Sequence, residues 1–338
     1  MKAVFVDLDE DEFELINKEE NTKQLSELGL DLRLYKKNIR EINDYDAEIL
    51  STFINSRLDK DTLSKFFNLK YIITRSTGYD HIDLEYCKQK GILAYNIPDY
   101  GTESVAEFAL MLMLALSRKL KQIGKSLEEI NLDYKALRGS EIKGKTIGIV
   151  GTGRIGSNLI KLLYSFGVNI IAYNRSVKQD LIENYKVNFV ELDYLLSNSD
   201  YIVLALPLSA ETKHIINLKN AALVKKGAYI INIARGELID TNALLYLLEN
   251  NVLSGLGLDV IEGENLVFKE NDINKYSSTL EEYRNAILAT KLIKYNNVII
   301  TPHIAYDTKE SIENIVNITL TTLKELVKNN KELYNRIN

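Results

Sequence analysis

Thr146-Ile-Gly-Ile-Val-Gly151-Thr-Gly153-Arg154-Ile155-Gly156-Ser-Asn-Leu-Ile160 is the stretch that decides how the rest of the chain is read. Ile147 to Val150 is a short apolar run of the kind that fills a buried strand, and beyond Arg154 apolar residues recur at helical spacing. Between them stands G-x-G-x-x-G, and its strand and helix flanks turn a weak pattern into a phosphate-binding turn. Gly151 permits the tight turn, Gly153 lets backbone approach a diphosphate, and Gly156 lets helix and strand pack closely. The N–H groups at the helix start are offered to the anion, and Arg154 adds a charge. A ligand-free glycine turn is the other reading, and both flanks weigh against it.

Working outward, short β-rich runs alternate with helical patterns, the sequence form of parallel sheets covered by helices. After Thr146 the pattern predicts further strands at Asn169–Tyr173, Tyr201–Leu206, Ala228–Ile233, Gly255–Val260 and Asn297–Thr301, a six-stranded dinucleotide-type sheet. Before it, strands are expected at Lys2–Leu8, Asp31–Tyr35, Ala47–Leu50, Tyr71–Arg75 and Ile92–Asn96, with amphipathic stretches such as Leu58–Phe67 between them. The fold class is therefore α/β, two doubly wound parallel sheets of Rossmann or flavodoxin type. Between the two series lie an apolar helix, Ser104–Leu120, and a polar excursion, Lys121–Lys145. The tail from Lys309 to Asn329 is helical and too short of strand to be a domain. Residues 1–102 with 303–338 are thus expected to form a substrate domain, and 103–302 an inserted dinucleotide-binding domain, with a ligand cleft between them.

Composition agrees. A chain of 338 residues exceeds one comfortable core, and 46% hydrophobic with 26% charged residues is ordinary for a globular protein. A net charge of −5 with no basic stripe argues against nucleic acid. The opening Met1-Lys-Ala-Val-Phe-Val-Asp lacks a signal-peptide core, and Glu107–Leu120 is too short to span a bilayer, so a cytoplasmic protein without membrane contact is expected. The single cysteine, Cys87, excludes an intrachain disulfide and any cysteine cage for a metal, and reads as a half-buried helix residue. No metal is expected. Ser104–Leu120 is apolar round more of its circumference than one intrachain face needs, which points to a homodimer; burial within the monomer is the other reading.

Three ionisable residues fall at predicted C-terminal strand ends, where open α/β sheets place ligands. Arg235 follows Ile230-Ile-Asn-Ile-Ala, Glu264 follows Gly255–Val260, and His303 closes Val298-Ile-Ile-Thr-Pro. Singly each has a bland reading as a salt-bridged arginine, a solvated glutamate or a capping histidine. Beside a phosphate loop they equip one reaction: an anion grip, a proton donor and a carboxylate to orient it. His81 and His214 lack this context and read as structural. An acidic residue normally closes the second strand of an NAD site, but here the strand ends Tyr173-Asn174-Arg175-Ser176. Asn174 does not repel a 2′-phosphate, and Arg175 with Ser176 can bind one, so the cofactor is NAD(P)H, leaning to NADPH. Asn174 on the NADH ribose, with Arg175 in solvent, stays open.

These blocks, with Thr74-Arg-Ser-Thr-Gly-Tyr-Asp-His-Ile-Asp, Ser104-Val-Ala-Glu-Phe-Ala and Asp259-Val-Ile-Glu-Gly-Glu, resemble the D-2-hydroxyacid dehydrogenase family over essentially the whole chain. Tyr100, the extended segment from Glu264 to Asn296 and the Tyr-Asn-Arg-Ser turn are most similar to D-lactate dehydrogenases, including the vancomycin-resistance type. The resemblance implies that Arg235, with backbone N–H groups around Thr77 and Gly78, holds a substrate carboxylate. It makes His303 the acid/base and Glu264 its partner. Asp259 and the backbone near Ala234 would take the nicotinamide carboxamide, Ile155 and Pro207 would join the cofactor contacts, and Phe53, Tyr100 and Tyr306 would wall the methyl end of the substrate. Two departures stand out: Asn174 replaces the usual acid, and Asn265 the proline that commonly follows the glutamate. The implied reaction is reduction of a small 2-keto acid, pyruvate to D-lactate first among candidates, by hydride transfer to the carbonyl carbon and proton donation from His303 to its oxygen. Glyoxylate, hydroxypyruvate or a branched 2-keto acid are alternative substrates, and a dinucleotide-sensing binding protein is the alternative outside enzymes.

Overall fold

A computed structural model describes residues 1–268 and 279–338. By contacts the chain divides into two units, Met1–Tyr100 with Asp307–Asn338, and Gly101–Tyr306. The second break falls after Tyr306 rather than at residue 302, so His303 and Tyr306 belong to the dinucleotide-type unit. The cause is local: the His303 N–H donates to the Asp259 carbonyl at 2.9 Å, and the Ala305 N–H donates to the Asp259 carboxylate at 2.9 Å.

The first unit carries five strands, β1 (Lys2–Phe5), β2 (Asp31–Leu34), β3 (Ile49–Thr52), β4 (Tyr71–Thr74) and β5 (Leu93–Tyr95). They pair in the order β2-β1-β3-β4-β5, all parallel, a doubly wound arrangement. Buried Val4, Leu50, Ile72 and Ala94 supply one layer of its core. The expected amphipathic stretch Leu58–Phe67 yields only the helical turn Lys60–Leu63, capped by Asp59, whose carboxylate accepts from the Thr62 N–H. Cys87 lies fully buried on the helix Leu84–Lys90, more deeply than expected, and burial pushes its thiol up to about 11, so it is no nucleophile. The tail helix Lys309–Val327 returns to this unit, and beyond it the Asn335 side chain donates to the Asn96 carbonyl at 2.8 Å.

Among its described residues the second unit holds seven strands where six were expected: β6 (Thr146–Val150), β7 (Asn169–Tyr173), β8 (Asn188–Phe189), β9 (Tyr201–Leu204), β10 (Ala228–Asn232), β11 (Leu253–Leu258) and β12 (Val298–Ile300). Their order is β12-β11-β10-β9-β6-β7-β8, again parallel throughout. The unforeseen β8 is a two-residue edge strand, too short for periodicity to reveal. Chain order reverses at β6, which lies between β7 and β9, so the turn after β6 opens at the switch point where such sheets bind ligands. Ile147 and Ile149 pack on one face and Val150 on the other, as a pleat with period two requires. β11 begins two residues earlier than expected and ends at Leu258, which leaves Asp259 just beyond the sheet.

The apolar helix runs from Thr102 to Ser117 and has no side-chain cap at its start. Burial holds it: Val105, Leu112, Met113 and Leu116 are buried against the second unit's core, each contributing about 1.5–3 kcal/mol. The polar excursion Lys121–Lys145 opens within a second helix, Leu120–Glu128. Of the extended segment Glu264–Asn296, residues 269–278 lie outside the described residues, and helices Glu264–Phe268 and Leu280–Ile293 flank them. No described helix is long and apolar enough to cross a membrane.

Candidate active site

The phosphate loop has the space its sequence requires. A Cβ on Gly156 would meet the Gly151 carbonyl oxygen at 2.0 Å, so the helix Arg154–Tyr164 packs backbone to backbone on the turn. Gly151 takes φ +99°, which L side chains rarely adopt. A Cβ on Gly153 would meet nothing within 4 Å, so that face of the turn is open to an incoming group. The Thr152 hydroxyl is buried without a hydrogen-bond partner among the described residues. An open glycine face at a helix N-terminus fits a dinucleotide diphosphate. Arg154 is exposed and Ile155 half-buried on the first turn of that helix.

Asn174 joins this loop to the turn after β7. Its Oδ1 accepts from the Thr152 N–H at 3.3 Å, and its Nδ2 donates to the Ser176 carbonyl at 2.8 Å. No carboxylate stands at this position. Arg175 is exposed, and its charge bears on Glu211, whose carboxyl is held below its usual range chiefly by the Ser209 hydroxyl. Pro207 lies exposed after β9, with its carbonyl accepting from the Thr212 hydroxyl at 2.8 Å.

His303 and Glu264, separated by 39 residues in sequence, meet directly: the ring Nδ1–H donates to Glu264 Oε1 at 2.8 Å. The carboxylate can only accept, so it fixes the ring tautomer and leaves Nε2 for chemistry. Glu264 Oε2 is buried and has no hydrogen-bond partner among the described residues. His303 sits at φ +59°, a conformation unusual for a residue with a Cβ. Such strain persists where neighbours over-determine it, and Asp259 is the neighbour. Its carboxylate, 1% exposed, accepts from the Thr301 hydroxyl at 2.6 Å, the Ile304 N–H at 3.0 Å and the Ala305 N–H at 2.9 Å. Asp259 thus buttresses the histidine loop, a role the sequence did not reveal beside the carboxamide role implied for it.

Arg235 stands at the end of β10, three residues past Asn232, whose side-chain amide brackets the turn. Asn232 Nδ2 donates to the Arg235 carbonyl at 2.8 Å, and Asn232 Oδ1 accepts from the Ala234 N–H at 3.1 Å. The guanidinium donates to the Ala234 carbonyl at 2.7 Å. Burial raises the Glu237 carboxyl above its usual range, and the nearby charges of Glu264 and Glu262 add to this while Arg235 opposes it. Gly236, next to Arg235, would place a Cβ 2.2 Å from the Ile261 carbonyl carbon, so the arginine loop abuts the turn that leads to Glu264. Sequence reading passed over Glu237 and Glu262. The acidic spacing in Glu262-Gly-Glu264, next to a predicted site residue, was a signal that could have found Glu262.

Tyr306 is half-buried in the same unit, its Cβ 3.3 Å from where a Gly101 Cβ would stand. Phe53, Thr77, Gly78 and Tyr100 belong to the first unit. Phe53 is 8% exposed, and its N–H donates to Asp7 Oδ2 at 3.3 Å. Burial raises the Asp7 carboxyl above its usual range, against hydrogen bonds from Ser56, Phe53 and Thr52 and the charge of Arg75. The Thr77 hydroxyl donates to the Ile97 carbonyl at 2.9 Å, and Gly78 accepts from the Ser76 hydroxyl at 2.7 Å. Tyr100, 8% exposed, ends the first segment of the unit. His81, read as structural, pairs through Nε2 with the Thr74 hydroxyl at 3.1 Å.

Comparison with known proteins gives a consistent result. Residues 110–305 match the family model described as D-isomer specific 2-hydroxyacid dehydrogenase, NAD binding domain. A D-specific alpha-keto acid dehydrogenase of Enterococcus faecium is 39% identical over 252 residues, 75% of this chain and 74% of that protein. A 2-hydroxyacid dehydrogenase homolog of Schizosaccharomyces pombe is 35% identical over 289 residues, 84% of each chain. Among solved structures, a D-lactate dehydrogenase of Aquifex aeolicus complexed with NAD and lactic acid superposes with a TM-score of 0.87 at 35% identity, covering 99% of this chain and 98% of that one.

Proposed function

Because the chain belongs to the D-isomer specific 2-hydroxyacid dehydrogenases, we propose that its reaction is reduction of pyruvate to D-lactate, with NADPH preferred over NADH. The observation that carries the reading is the His303–Glu264 pair, 2.8 Å apart, with Arg235 on the loop that abuts the turn leading to Glu264. The glycine loop at Gly151, Gly153 and Gly156, with Arg154, Ile155, Asn174, Arg175, Ser176, Pro207 and Ala234, would hold the dinucleotide, which when bound supplies the hydride.

Arg235 takes the substrate carboxylate, since a guanidinium matches it with two parallel hydrogen bonds. Thr77 and Gly78 assist through their backbone N–H groups. His303, held at Nδ1 by Glu264, gives the Nε2 proton to the carbonyl oxygen as the carbonyl carbon gains its hydrogen, and the 2-keto acid becomes the 2-hydroxy acid. Fixing both ends of a small substrate makes positioning a large contribution to rate. Phe53, Tyr100 and Tyr306 are assigned to its methyl end, which favours pyruvate over longer keto acids. Absence of a carboxylate at Asn174 and presence of Arg175 support NADPH. A homodimer is supported by exposed apolar residues following the Thr102–Ser117 helix, among them Leu120, Leu127, Ile130 and Tyr134.

Initial rates for pyruvate, glyoxylate, hydroxypyruvate and a branched 2-keto acid, each against NADH and NADPH, test the whole reading. The expected result is fastest loss of reduced-nicotinamide absorbance with pyruvate and NADPH. Turnover of none of the four acids would defeat the enzyme assignment, and a preference for NADH would defeat the cofactor assignment alone.

A further inference from the structure

A second histidine–glutamate pair has its glutamate two residues before that of the first. Glu262 is 4% exposed, and its Oε1 accepts from His214 Nε2 at 2.8 Å. Its Oε2 accepts both the Thr241 N–H at 2.9 Å and the Thr241 hydroxyl at 2.6 Å. A carboxylate this buried is costly unless paired, and here every contact is a charge-assisted hydrogen bond, one of them at the N-terminus of the helix Thr241–Glu249. The three partners come from three connections: the loop after β9 (His214), the connection after β10 (Thr241) and the turn after β11 (Glu262 itself).

Those connections carry the reacting groups. The His214 N–H donates to the Glu237 carbonyl at 2.8 Å, and the Asp240 N–H to the Ile216 carbonyl at 3.0 Å, so the 214–216 strip backs the segment that leaves Arg235. On its other side, a Cβ on Gly236 would stand 2.2 Å from the Ile261 carbonyl carbon and 2.4 Å from the Glu262 nitrogen, so the residue next to Arg235 rests on backbone of the turn leading to Glu264. One turn, Ile261–Glu264, is thereby pressed against the arginine loop by backbone contact and tied to its far end by one side chain.

We propose that Glu262 is a positioning residue, whose carboxylate, shared between His214 and Thr241, sets the spacing between the loops that present Arg235 and Glu264. The inference rests on the reductase reading above and gives Glu262 its role through His214 and Thr241. Removal of the carboxylate leaves three donors without an acceptor and frees the Ile261–Glu264 turn, and misplacement by about 1 Å can cost a reaction about 100-fold. Glutamine keeps the tie: its oxygen serves Thr241 and its amide serves the other tautomer of His214.

Steady-state kinetics with pyruvate, NADH affinity by fluorescence and thermal midpoints of Glu262→Ala, Glu262→Gln and Thr241→Val provide the test. For Glu262→Ala the expectation is a fall of about 10- to 100-fold in kcat, a rise in pyruvate KM and NADH affinity kept within about threefold. Glu262→Gln restores kcat to within about threefold of the parent, and Thr241→Val, which loses one of the two Thr241 bonds, falls by about three- to tenfold. If Glu262→Ala does not fold, the valine and glutamine variants carry the test. Parental kcat in Glu262→Ala, or in Thr241→Val where the alanine variant does not fold, overturns the proposal. So does a glutamine variant that folds yet falls by 10-fold or more, about the loss expected for alanine. Absence of turnover in the parent with any 2-keto acid defeats the reductase reading instead, a result distinct from unresponsive variants in an active parent.

Discussion

Glu264→Gln separates the charge beside His303 from the shape that holds it. The parental bond is 2.8 Å long between side chains 21% and 26% exposed, enough burial to resist screening. Hydrogen bonds to charged groups contribute about 1.5–3 kcal/mol and neutral ones about 0.5–1.5 kcal/mol, so the amide holds the ring Nδ1–H more weakly by about 1–1.5 kcal/mol. Lost in the transition state, that difference is about tenfold in kcat/KM for keto-acid reduction. Glu264→Ala also leaves Nδ1–H without its acceptor and the ring without its orientation, which adds about another tenfold. Neither change touches the phosphate loop, so NADH affinity measured by fluorescence should hold within about twofold. The assay is initial rate against pyruvate concentration for parent and both variants, with thermal midpoints to verify folding. Parental kcat/KM in the glutamine variant would refute the electrostatic part of this reasoning, and equal losses in both variants would refute the orientational part.

Arg235→Lys should raise the pyruvate KM by about 10- to 100-fold with dinucleotide affinity kept, because lysine cannot make the two-pronged contact; an unchanged KM counts against the carboxylate assignment. Asn174→Asp should cut kcat/KM with NADPH by about 100-fold and leave NADH nearly untouched, since a carboxylate there repels a 2′-phosphate; equal effects on both cofactors would remove Asn174 from the choice. Glu12→Gln strips the counterion from Arg75, which is fully buried and donates to Glu12 at 2.8 Å, so urea denaturation should show a loss of about 3 kcal/mol, and a loss below about 1 kcal/mol would contradict the account. For Glu237 the folded carboxyl titrates above its usual range, so the stability it contributes at low pH is lost as pH rises through that elevated value. Glu237→Gln should therefore gain on the parent as pH rises from about 4 to about 8, and a pH-independent difference in urea midpoint would argue against the burial described.

Local pattern was enough for the α/β class, for the turn Gly151–Gly156 between its strand and helix, and for the placing of Arg235 and His303 shortly after strands, whereas Glu264 stands six residues past β11 at the start of a helix. Each of these depends on residues within a few positions of one another: apolar periodicity, a glycine where backbone must approach backbone, a polar residue where an apolar run stops. Local pattern failed at β8, where two residues carry no period, and at Leu58–Phe67, where a helical period condenses to a single turn.

The amino-acid sequence by itself determined which chemical groups are available and on which strand ends they stand. Only tertiary structure decided what each touches: Glu264 on His303 across 39 residues, Asp259 beneath the histidine loop, and Glu262 between His214 and Thr241. Chain propensity acts over a turn or two, whereas a side-chain hydrogen bond needs its partners within about 3 Å. For residues 21 to 48 positions apart, as Thr241 and His214 are from Glu262, only the order in which β9, β10 and β11 lie in the sheet brings them that close.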